Sequence, residues 1–310
     1  MAAKRILLIA NPASGQHRGE RRLAQASERL ASLGHAVTAA LTESAGHATR
    51  LAKSNAPDFE IIAALGGDGT VNEVANGLMA VEPGERPTLA TLPVGTGNDV
   101  ALTYGLAHFE SAIDALAKGS TRTLDVIRVQ LMRDGKSVTR HALLFVAAGF
   151  AAEVIRKTGP RVKRIFGRRF SYSVGLFRAL ASFRAPEFSV KWDGGEQSGQ
   201  MFQVCAGNTE FAAGGVMRIS PGARPDDGLL NISLVDALGR LQIVRRFPSI
   251  LSGRYVEDER VDYFTGKRLE IDAVPPAELQ ADGDIIGTTP ATIELLPGAL
   301  QLVVQDQFEV

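Results

Sequence analysis

A glycine-rich turn that carries one carboxylate follows a strongly apolar strand in the first third of the chain. The apolar residues Ile61 to Leu65 lead into Gly66-Gly67-Asp68-Gly69-Thr70, and a helix is predicted from Val71 to Met79. A strand that passes through glycines into a helix N-terminus presents backbone N–H groups and a favourable dipole to a phosphate. Asp68 beside phosphates is repulsive unless a divalent cation or a hydrogen-bond network holds it. The turn therefore predicts a metal-assisted nucleotide site. The alternative is a tight turn in which Asp68 caps the next helix.

Two further polar turns also follow apolar strands. Pro93-Val94-Gly95-Thr96-Gly97-Asn98-Asp99 comes after the predicted strand Leu89 to Leu92 and precedes a short predicted helix. Asn11-Pro12-Ala13-Ser14-Gly15 closes the predicted first strand, Ile6 to Ala10. Open α/β sheets bind ligands at the carboxyl ends of their strands. The three turns together therefore predict one shared site at that edge.

Several other kinds of site are excluded by their missing patterns. The chain has no Gly-x-x-x-x-Gly-Lys-Ser/Thr loop, no Gly-x-Gly-x-x-Gly fingerprint after the first strand and no Gly-x-Ser-x-Gly elbow. The histidines have no metal-ligand spacing, so no catalytic role is predicted for them. They are His17, His35, His47, His108 and His141.

Composition narrows the class of protein further. A chain of 310 residues with 45% hydrophobic and 22% charged residues is typical of about two globular domains. Its 34 basic and 34 acidic residues give no net charge that would attract nucleic acid. The single cysteine, Cys205, excludes a disulfide framework and indicates a reducing cytoplasm. The longest apolar run, Ala142 to Ala152, is too short to span a membrane.

The order of predicted elements indicates two domains of different class. Short apolar strands alternate with helical patterns up to about Thr121, which predicts a doubly wound, Rossmann-like α/β domain. One of these helices has Leu23, Ala26, Leu30 and Leu33 on its inner face, with Gly34 as its cap. Strands dominate the remainder, which predicts a mainly β, sandwich-like domain. Its predicted strands are Leu124 to Leu131, Leu143 to Ala147, Phe188 to Trp192, Phe202 to Ala206, Leu229 to Val235, Arg268 to Ile271, Thr292 to Leu295 and Leu300 to Val304, and its predicted helices are Ser171 to Phe183 and Leu238 to Leu251.

The three turns, with Asn72-Glu73 after the turn at Gly66 to Thr70, resemble the nucleotide-site motifs of the diacylglycerol kinase catalytic-domain family. The branch resembled is that of the bacterial soluble lipid kinases, which are related to sphingosine and ceramide kinases. The resemblance continues through Gly207-Asn208, Gly214-Gly215, Pro221 to Leu229 and Asp282-Gly283-Asp284. It implies an NAD kinase-like nucleotide-binding domain over residues 1–125, with 297–310 returning to it, and a β-rich lipid-substrate domain over residues 126–296.

The resemblance also implies an activity and a set of residues. ATP and Mg²⁺ would serve to phosphorylate a hydroxyl of a lipid such as diacylglycerol, in a cleft between the domains. Asp282 would be the general base, and Asp68 and Asp99 would join Asp125 in a carboxylate network tied to Mg²⁺. Asp227, with the carbonyls of Arg224 and Leu229, would hold a structural Mg²⁺, or the turn is only an Asp-Gly reversal. The implied nucleotide-site residues are Asn11, Ser14, Gly15, Gly66, Gly67, Gly69, Thr70, Glu73, Gly95, Thr96, Gly97, Asn98, Asp125 and Asp284.

Three positions depart from the family pattern. Asp284 stands where glutamate is more frequent, Leu102 where many members have arginine, and Gln16 where a basic residue is frequent. Fewer phosphate-binding cations predict weaker ATP binding or a different nucleotide preference. The alternatives are an NAD kinase or other soluble small-molecule kinase, and a non-catalytic nucleotide-binding regulator. The turn at Pro93 to Asp99 favours a lipid kinase, and the retained catalytic carboxylates argue against a regulator.

A basic segment, Arg156 to Arg169, contains the apolar residues Val162, Ile165 and Phe166. Such a segment predicts peripheral contact with the anionic inner surface of the membrane, at about 1 kcal/mol for each basic residue. The alternative is a solvated basic face. Nucleic-acid binding is not predicted, because no aromatic stacking platform accompanies the charges. Homodimer formation is left open.

Overall fold

A computed structural model describes residues 3–15, 18–95, 97–133, 135–159 and 174–305. The chain forms two compact units, and each contains more than one segment of the sequence. Unit 1 contains Met1–Val126, Phe211–Val216 and Pro297–Val310. Unit 2 contains Ile127–Glu210 and Met217–Leu296.

The centre of unit 1 is a parallel sheet whose strands lie in the order β2, β1, β3, β4. Nearly every residue of β1, β3 and β4 is buried, as expected for parallel strands covered on both faces, whereas the edge strand β2 is largely exposed. The last strand of the chain pairs parallel to β4, with Leu302 opposite Leu89. The first four strands are β1 (Arg5–Ala10), β2 (Ala36–Leu41), β3 (Ile61–Gly66) and β4 (Thr88–Pro93).

Helices connect these strands, which confirms the predicted α/β class of this unit. Helix α3 begins at Asp68, three residues before the predicted start, so Asp68 lies in its first turn. Helix α1 buries Leu23, Ala26 and Leu30, but Leu33 is 45% exposed because it is the C-cap, beyond the last helical turn. The helices are α1 (Gly19–Ser32), α2 (His47–Asn55), α3 (Asp68–Met79), α4 (Asp99–Thr103) and α5 (Phe109–Lys118).

Unit 2 is built from antiparallel strands, which confirms the predicted β-rich, sandwich-like class. Strand order is β16, β15, β7, β9, β8, β14, β17; β12 joins β9 and β13 joins β12, while β5 pairs with β6. The strands after β4 are β5 (Thr121–Arg133), β6 (Lys136–Ala142), β7 (Phe145–Gly149), β8 (Glu187–Trp192), β9 (Gly195–Gly207), β10 (Phe211–Ala212), β11 (Met217–Arg218), β12 (Leu230–Asp236), β13 (Val261–Gly266), β14 (Arg268–Val274), β15 (Glu278–Ala281), β16 (Asp284–Thr288) and β17 (Ala291–Val303). Of these, β10, the first six residues of β5 and the last seven of β17 belong to unit 1.

Among the described residues of unit 2 are three helices, and two of them match predictions. They are α6 (Phe150–Lys157), α7 (174–182) and α8 (Arg240–Ser252). Helix α6 was not predicted, because its apolar residues continue the run that precedes it. The first three residues of the predicted helix at Ser171 lie outside the described residues. Among the residues that the structure describes, no helix has the length and hydropathy needed to cross a bilayer.

Several predicted strand limits after Thr121 were wrong, and two of the differences concern β17 and β7. The two strands predicted over Thr292 to Leu295 and Leu300 to Val304 form one strand, β17. Strand β7 begins at Phe145 and not at Leu143. The N–H groups of Leu143 and Leu144 bind the carboxylate of Asp282, so they do not join a strand ladder.

Helix α3 crosses α2 at Gly77, and this contact gives a stability prediction. A Cβ at position 77 would lie 2.5 Å from the carbonyl oxygen of Thr49 and 2.7 Å from the Cβ of Ala52. Alanine normally stabilises a helix interior relative to glycine by about 1 kcal/mol. We expect Gly77→Ala to lower the free energy of unfolding by about 1–2 kcal/mol instead, because the helices must separate.

Gly69→Ala is the matched control in the same helix, since a Cβ there has no neighbour within 4 Å. Denaturant unfolding should show its stability unchanged or slightly raised. A stabilising Gly77→Ala variant would contradict the described helix contact.

Candidate functional site

The three polar turns meet at the carboxyl edge of the sheet in unit 1. The N–H of Asn11 donates to the carbonyl of Leu65 at 3.1 Å, which joins the end of β1 to the end of β3. The N–H groups of Val94 and Gly95 both donate to the carbonyl of Gly66, at 2.9 and 3.2 Å. Backbone hydrogen bonds therefore hold the three turns side by side, and the predicted convergence is observed.

The glycines are required because the turns approach one another closely. A Cβ on Gly15 would lie 2.5 Å from the carbonyl oxygen of Val94, and one on Gly95 would lie 2.5 Å from the Cα of Gly67. Real Cβ atoms do not approach backbone atoms so closely, so these positions exclude any other residue without a shift of the main chain. Gly66 is similarly restricted, because its Cβ would overlap the hydroxyl of Thr70.

The carboxylate of Asp68 binds the turn after β4. Its Oδ2 accepts the N–H of Asn98 at 2.8 Å and its Oδ1 accepts the N–H of Val100 at 3.3 Å. These two residues are the N-cap and second residue of α4, so Asp68 caps the start of α4, whereas the N-cap of its own helix is Gly67. The cap considered in the sequence analysis therefore exists, but on a different helix. Asn98 has a positive φ of 59°, which the tight turn requires.

The carboxylate of Asp99 binds a segment from the second half of the chain. Its Oδ1 accepts the N–H of Gly214 at 2.7 Å and that of Gly215 at 3.0 Å. The Cβ that Gly97 lacks would lie 2.8 Å from Oδ2 of Asp68 and 3.5 Å from Oδ2 of Asp99. One oxygen of each carboxylate therefore lies beside Gly97.

Burial raises the pKa of both carboxyl groups. For Asp68 the raised pKa comes from desolvation, which backbone N–H groups of the turn partly offset. For Asp99, desolvation is again the larger cause of the raised pKa, and the charge of Asp68 raises it further. Among the described residues, no cation contributes to either shift. The pair is thus two like charges, Asp99 buried and Asp68 partly buried, that an added cation would stabilise.

This donor set fits Mg²⁺. The ion prefers carboxylate oxygens, keeps several waters and is commonly held by one or two carboxylates together with substrate phosphates. The described residues contain no group of three or more His, Cys, Asp or Glu side chains that could hold a metal without a substrate. Asp68 and Asp99 could therefore hold such an ion together with phosphate oxygens.

Other predicted nucleotide-site residues have defined contacts in unit 1. Oδ1 of Asn11 accepts the N–H of Ala13 at 3.0 Å, and Ser14, 8% exposed, donates its N–H to the carbonyl of Asn11. Asn11 and Ser14 therefore shape the turn after β1. Thr96 lies outside the described residues.

Two acidic residues of this set, Glu73 and Asp125, accept hydrogen bonds from backbone N–H groups elsewhere in unit 1. Glu73 accepts the N–H groups of Gly46 and Ala48 at 2.8 and 3.2 Å, which fixes the start of α2. Asp125, 2% exposed, accepts the N–H of Gly298 at 2.7 Å. These bonds connect α3 to the start of α2 and β5 to β17.

In unit 2, Asp282 is held by three consecutive backbone N–H groups. Its Oδ2 accepts the N–H of Leu143 at 2.7 Å, and its Oδ1 accepts those of Leu144 and Phe145 at 2.9 and 3.1 Å. Asp282 has a positive φ of 48°, in the turn between β15 and β16. The orientation of this carboxylate is thus fixed by the main chain.

Two fully buried amide side chains, Asn208 and Gln280, support the backbone around Asp282, and neither was predicted as a site residue. Nδ2 of Asn208 donates to the carbonyl of Leu143 at 2.9 Å, and its N–H donates to that of Leu144 at 2.8 Å. Oε1 of Gln280 accepts the N–H of Gly283 at 2.9 Å. The family-like Gly207-Asn208 pair was a signal for the first. No side-chain pattern indicates the backbone of Leu143 to Phe145.

The remaining predicted residues lie in turns of unit 2. Asp284 is exposed at the start of β16. In the turn before β12, Oδ1 of Asp227 accepts the N–H of Leu229 at 2.9 Å, as in the Asp-Gly reversal. Arg224 is exposed and lies 3.9 Å from the carboxylate of Asp226. The structural Mg²⁺ at this turn stays a prediction.

Comparison with known proteins adds to this geometry. A family model described as the diacylglycerol kinase catalytic domain matches residues 5–129, and one described as the YegS C-terminal NAD kinase beta sandwich-like domain matches residues 144–304. The chain belongs to the diacylglycerol kinase family. The predicted resemblance is therefore confirmed.

Relatives match the chain over most of its length. The diacylglycerol kinase of Bacillus subtilis (strain 168) is 28% identical over 292 residues, which cover 93% of this chain and 92% of that protein. The diacylglycerol kinase of Staphylococcus aureus (strain MRSA252) is 28% identical over 290 residues, 93% of this chain and 88% of that protein. The names of these relatives and the family models indicate a lipid kinase.

Solved structures are similar as well. A diacylglycerol kinase from Bacillus anthracis has a TM-score of 0.75 at 25% identity, covering 99% of this chain and 98% of that one. Yeast NADH kinase in complex with NADH has a TM-score of 0.51 at 11% identity, covering 98% and 84% of the two chains. The second likeness shows a shared fold only.

The raised pKa of Asp99 gives a prediction for this diacylglycerol kinase family member. A pKa above the ordinary 3.8 means that the folded state favours the protonated carboxyl. This contribution to stability is complete below pH 3.8 and is lost as the pH rises through the raised pKa. We expect Asp99→Asn to melt at a higher temperature than the wild type near neutral pH, without nucleotide. Its Oδ1 can still accept both N–H groups.

Calorimetric melts across the pH range test this expectation. The difference in melting temperature should narrow as the pH falls toward 3.8, because the wild-type carboxyl is then protonated as well. Asp58→Asn, at an exposed position of unit 1, is the control for loss of one surface charge. A difference that widens toward acid would refute the assigned burial cost.

Proposed function

We propose that the protein transfers the γ-phosphoryl group of ATP to a hydroxyl of a lipid such as diacylglycerol, with Mg²⁺ as the cofactor. The observation that carries the proposal is the convergence of three glycine turns at one edge of the sheet, two of which carry the carboxylates of Asp68 and Asp99. This arrangement occurs in a chain that relatives named diacylglycerol kinase match over 93% of its length. Phosphoryl transfer needs charge neutralisation, in-line positioning and a base for the acceptor, but no covalent nucleophile.

The turns of unit 1 suit the phosphates of a nucleotide. Gly69 has open space beside its Cα, and it lies in the first turn of α3, where backbone N–H groups and the helix dipole favour an anion. We assign phosphate contacts to Ser14, Gly67, Thr70 and Thr96. Asn11 and the other glycines of the three turns act by shaping the turns, as the contacts of Gly15 and Gly95 indicate.

Asp68 and Asp99 are assigned to Mg²⁺. When it is bound, the ion neutralises charge on the phosphates and on the two carboxylates. The backbone bonds of both side chains keep one oxygen of each beside Gly97. A role of Asp125 in this network stays a prediction, since its described bond is to Gly298.

Asp282 is assigned as the general base that takes the proton from the lipid hydroxyl. A base must have a fixed orientation toward the proton it accepts. Three backbone N–H groups supply that orientation, and Asn208 holds the carbonyls of the same backbone segment.

Several finer expectations accompany the proposal without a direct test. They are transfer at a site between the two units, the roles of Asp284 and Asp227, membrane contact through Arg156 to Arg169, location at the inner membrane surface and homodimer formation. Residues 160–169 of the basic segment and Gln16 lie outside the described residues. Leu102 lies in α4 and is 37% exposed, and its apolar side chain supplies no positive charge at this position.

The deciding experiment uses purified protein with Mg²⁺ and γ-labelled ATP. One tube contains a total lipid extract in mixed micelles, and a parallel tube contains NAD. Label in a lipid product is the expected result and would identify the acceptor. Label only in NADP would transfer the protein to the NAD kinase class.

Replacing the base separates binding from chemistry. We expect Asp282→Asn to lower kcat by at least about a hundredfold, while ATP affinity changes little, because a general base acts only in the transfer step. Rates and nucleotide titrations would be measured on the same preparation. Asp272→Asn, at an exposed position of β14, is the control and should keep the wild-type rate. Weakened ATP binding with an unchanged kcat would contradict the assignment of Asp282.

A further inference from the structure

Helix α8 has two apolar faces, and only one of them is buried in the protein. The inner face contributes Ile243, 5% exposed, to a hydrophobic cluster that also contains Phe150, Ala179 and Phe202. On the opposite side, Leu241 is 64% exposed, Val244 55% and Leu251 39%. Large apolar side chains that are exposed together usually mark an interaction surface.

The spacing of these residues gives one continuous stripe. At 3.6 residues per turn, positions 241, 244, 248 and 251 lie on the same side of a helix. Pro248, also exposed, completes the stripe between Val244 and Leu251. We call this set the α8 stripe: Leu241, Val244, Pro248 and Leu251.

Positive charge borders the α8 stripe on both sides. Arg240 and Arg245 are exposed, and the same helical geometry places one of them at each edge of the stripe. The helix contains no Asp or Glu. Of the acidic residues that follow it, Asp258 binds Arg246 of the helix at 2.5 Å and Glu257 binds Arg254 at 3.3 Å, so neither of these two pairs with Arg240 or Arg245 in the described contacts.

We propose that helix α8 docks on an anionic lipid bilayer, with the α8 stripe inserted among the acyl chains and Arg240 and Arg245 at the headgroups. An apolar stripe between basic residues is the pattern of helices that lie in a membrane interface. The choice of a bilayer as the occupant rests on the proposed function, because a lipid kinase must reach an acceptor within a membrane.

Charge favours the bilayer over a second copy of the chain. Symmetric dimers usually bring the same surface of both subunits together. Such a contact through α8 would bring Arg240 and Arg245 of one copy against those of the other, with no acid on the helix to compensate. Anionic headgroups supply the missing negative charge at about a fivefold gain in affinity for each arginine.

The test measures binding to vesicles without ATP or turnover. The probes are vesicles of equal parts phosphatidylglycerol and phosphatidylcholine, and vesicles of phosphatidylcholine alone. One variant carries Leu241→Gln, Val244→Gln and Leu251→Gln together, and a second carries Arg240→Gln and Arg245→Gln. A matched control carries Leu33→Gln, Leu41→Gln and Met132→Gln, which removes three apolar side chains that are 41–50% exposed elsewhere.

The wild type and the control should bind the anionic vesicles equally and the neutral vesicles more weakly. Each of the two α8 variants should bind the anionic vesicles at least about tenfold more weakly, with an unchanged melting temperature. Equal binding by the α8 variants and the wild type would overturn the proposal. So would a wild-type dimer, seen by light scattering, that becomes monomeric when the stripe is replaced.

A second measurement separates this proposal from the proposed function. The same proteins would be assayed on a short-chain, water-soluble diacylglycerol, which requires no bilayer. The expected result is equal turnover by the wild type and the α8 variants. Turnover without α8-dependent vesicle binding rejects docking and leaves the lipid kinase intact. Vesicle binding that depends on α8, without phosphorylation of any lipid, rejects the kinase and leaves docking intact.

Discussion

The backbone contact between two glycines, Gly67 and Gly95, is the constraint on which the rest of the candidate site depends. It brings the turns after β3 and β4 so close that no side chain fits between them. Because of this approach, the carboxylate of Asp68, which directly follows Gly67, reaches the N-terminus of α4, the helix that follows the turn after β4. The position of Asp99, the first residue of α4, follows from that cap. Glycine composition in these motifs is thus a requirement of main-chain geometry as well as of ligand access.

The assigned carboxylates share a second property, which is that the main chain holds them. Asp68, Asp99 and Asp282 each accept at least two backbone N–H groups in the described contacts. Backbone donors orient a carboxylate without adding a positive charge beside it. For Asp68 and Asp99 the negative charge therefore stays available for the cation of the proposed reaction. An ion pair with arginine or lysine would orient these side chains equally well but would compete with that cation.

Much of the architecture and of the unit 1 site could be predicted from the sequence. Strands β1, β3 and β4 are continuous apolar runs, and their order along the chain indicates a parallel sheet whose carboxyl edge carries the turns. What the sequence could not show depends on long-range contacts. Nothing local indicates that Gly214 and Gly215 bind Asp99, or that the apolar residues Leu143 to Phe145 offer their N–H groups to Asp282. A backbone N–H donor does not depend on the type of side chain, so these partners could be identified only from the folded structure.

The segmented composition of unit 1 has a consequence for synthesis of the protein. Its sheet includes the end of β17, and Asp99 needs the N–H groups of Gly214 and Gly215. While the ribosome is still making the first half of the chain, the strand beside β4 and the partners of Asp99 do not yet exist. Domains that are continuous in sequence can fold as they emerge, whereas this unit can be completed only after nearly the whole polypeptide has left the ribosome. A free edge at β4 is therefore exposed throughout translation, when unpaired strand edges are most prone to aggregate.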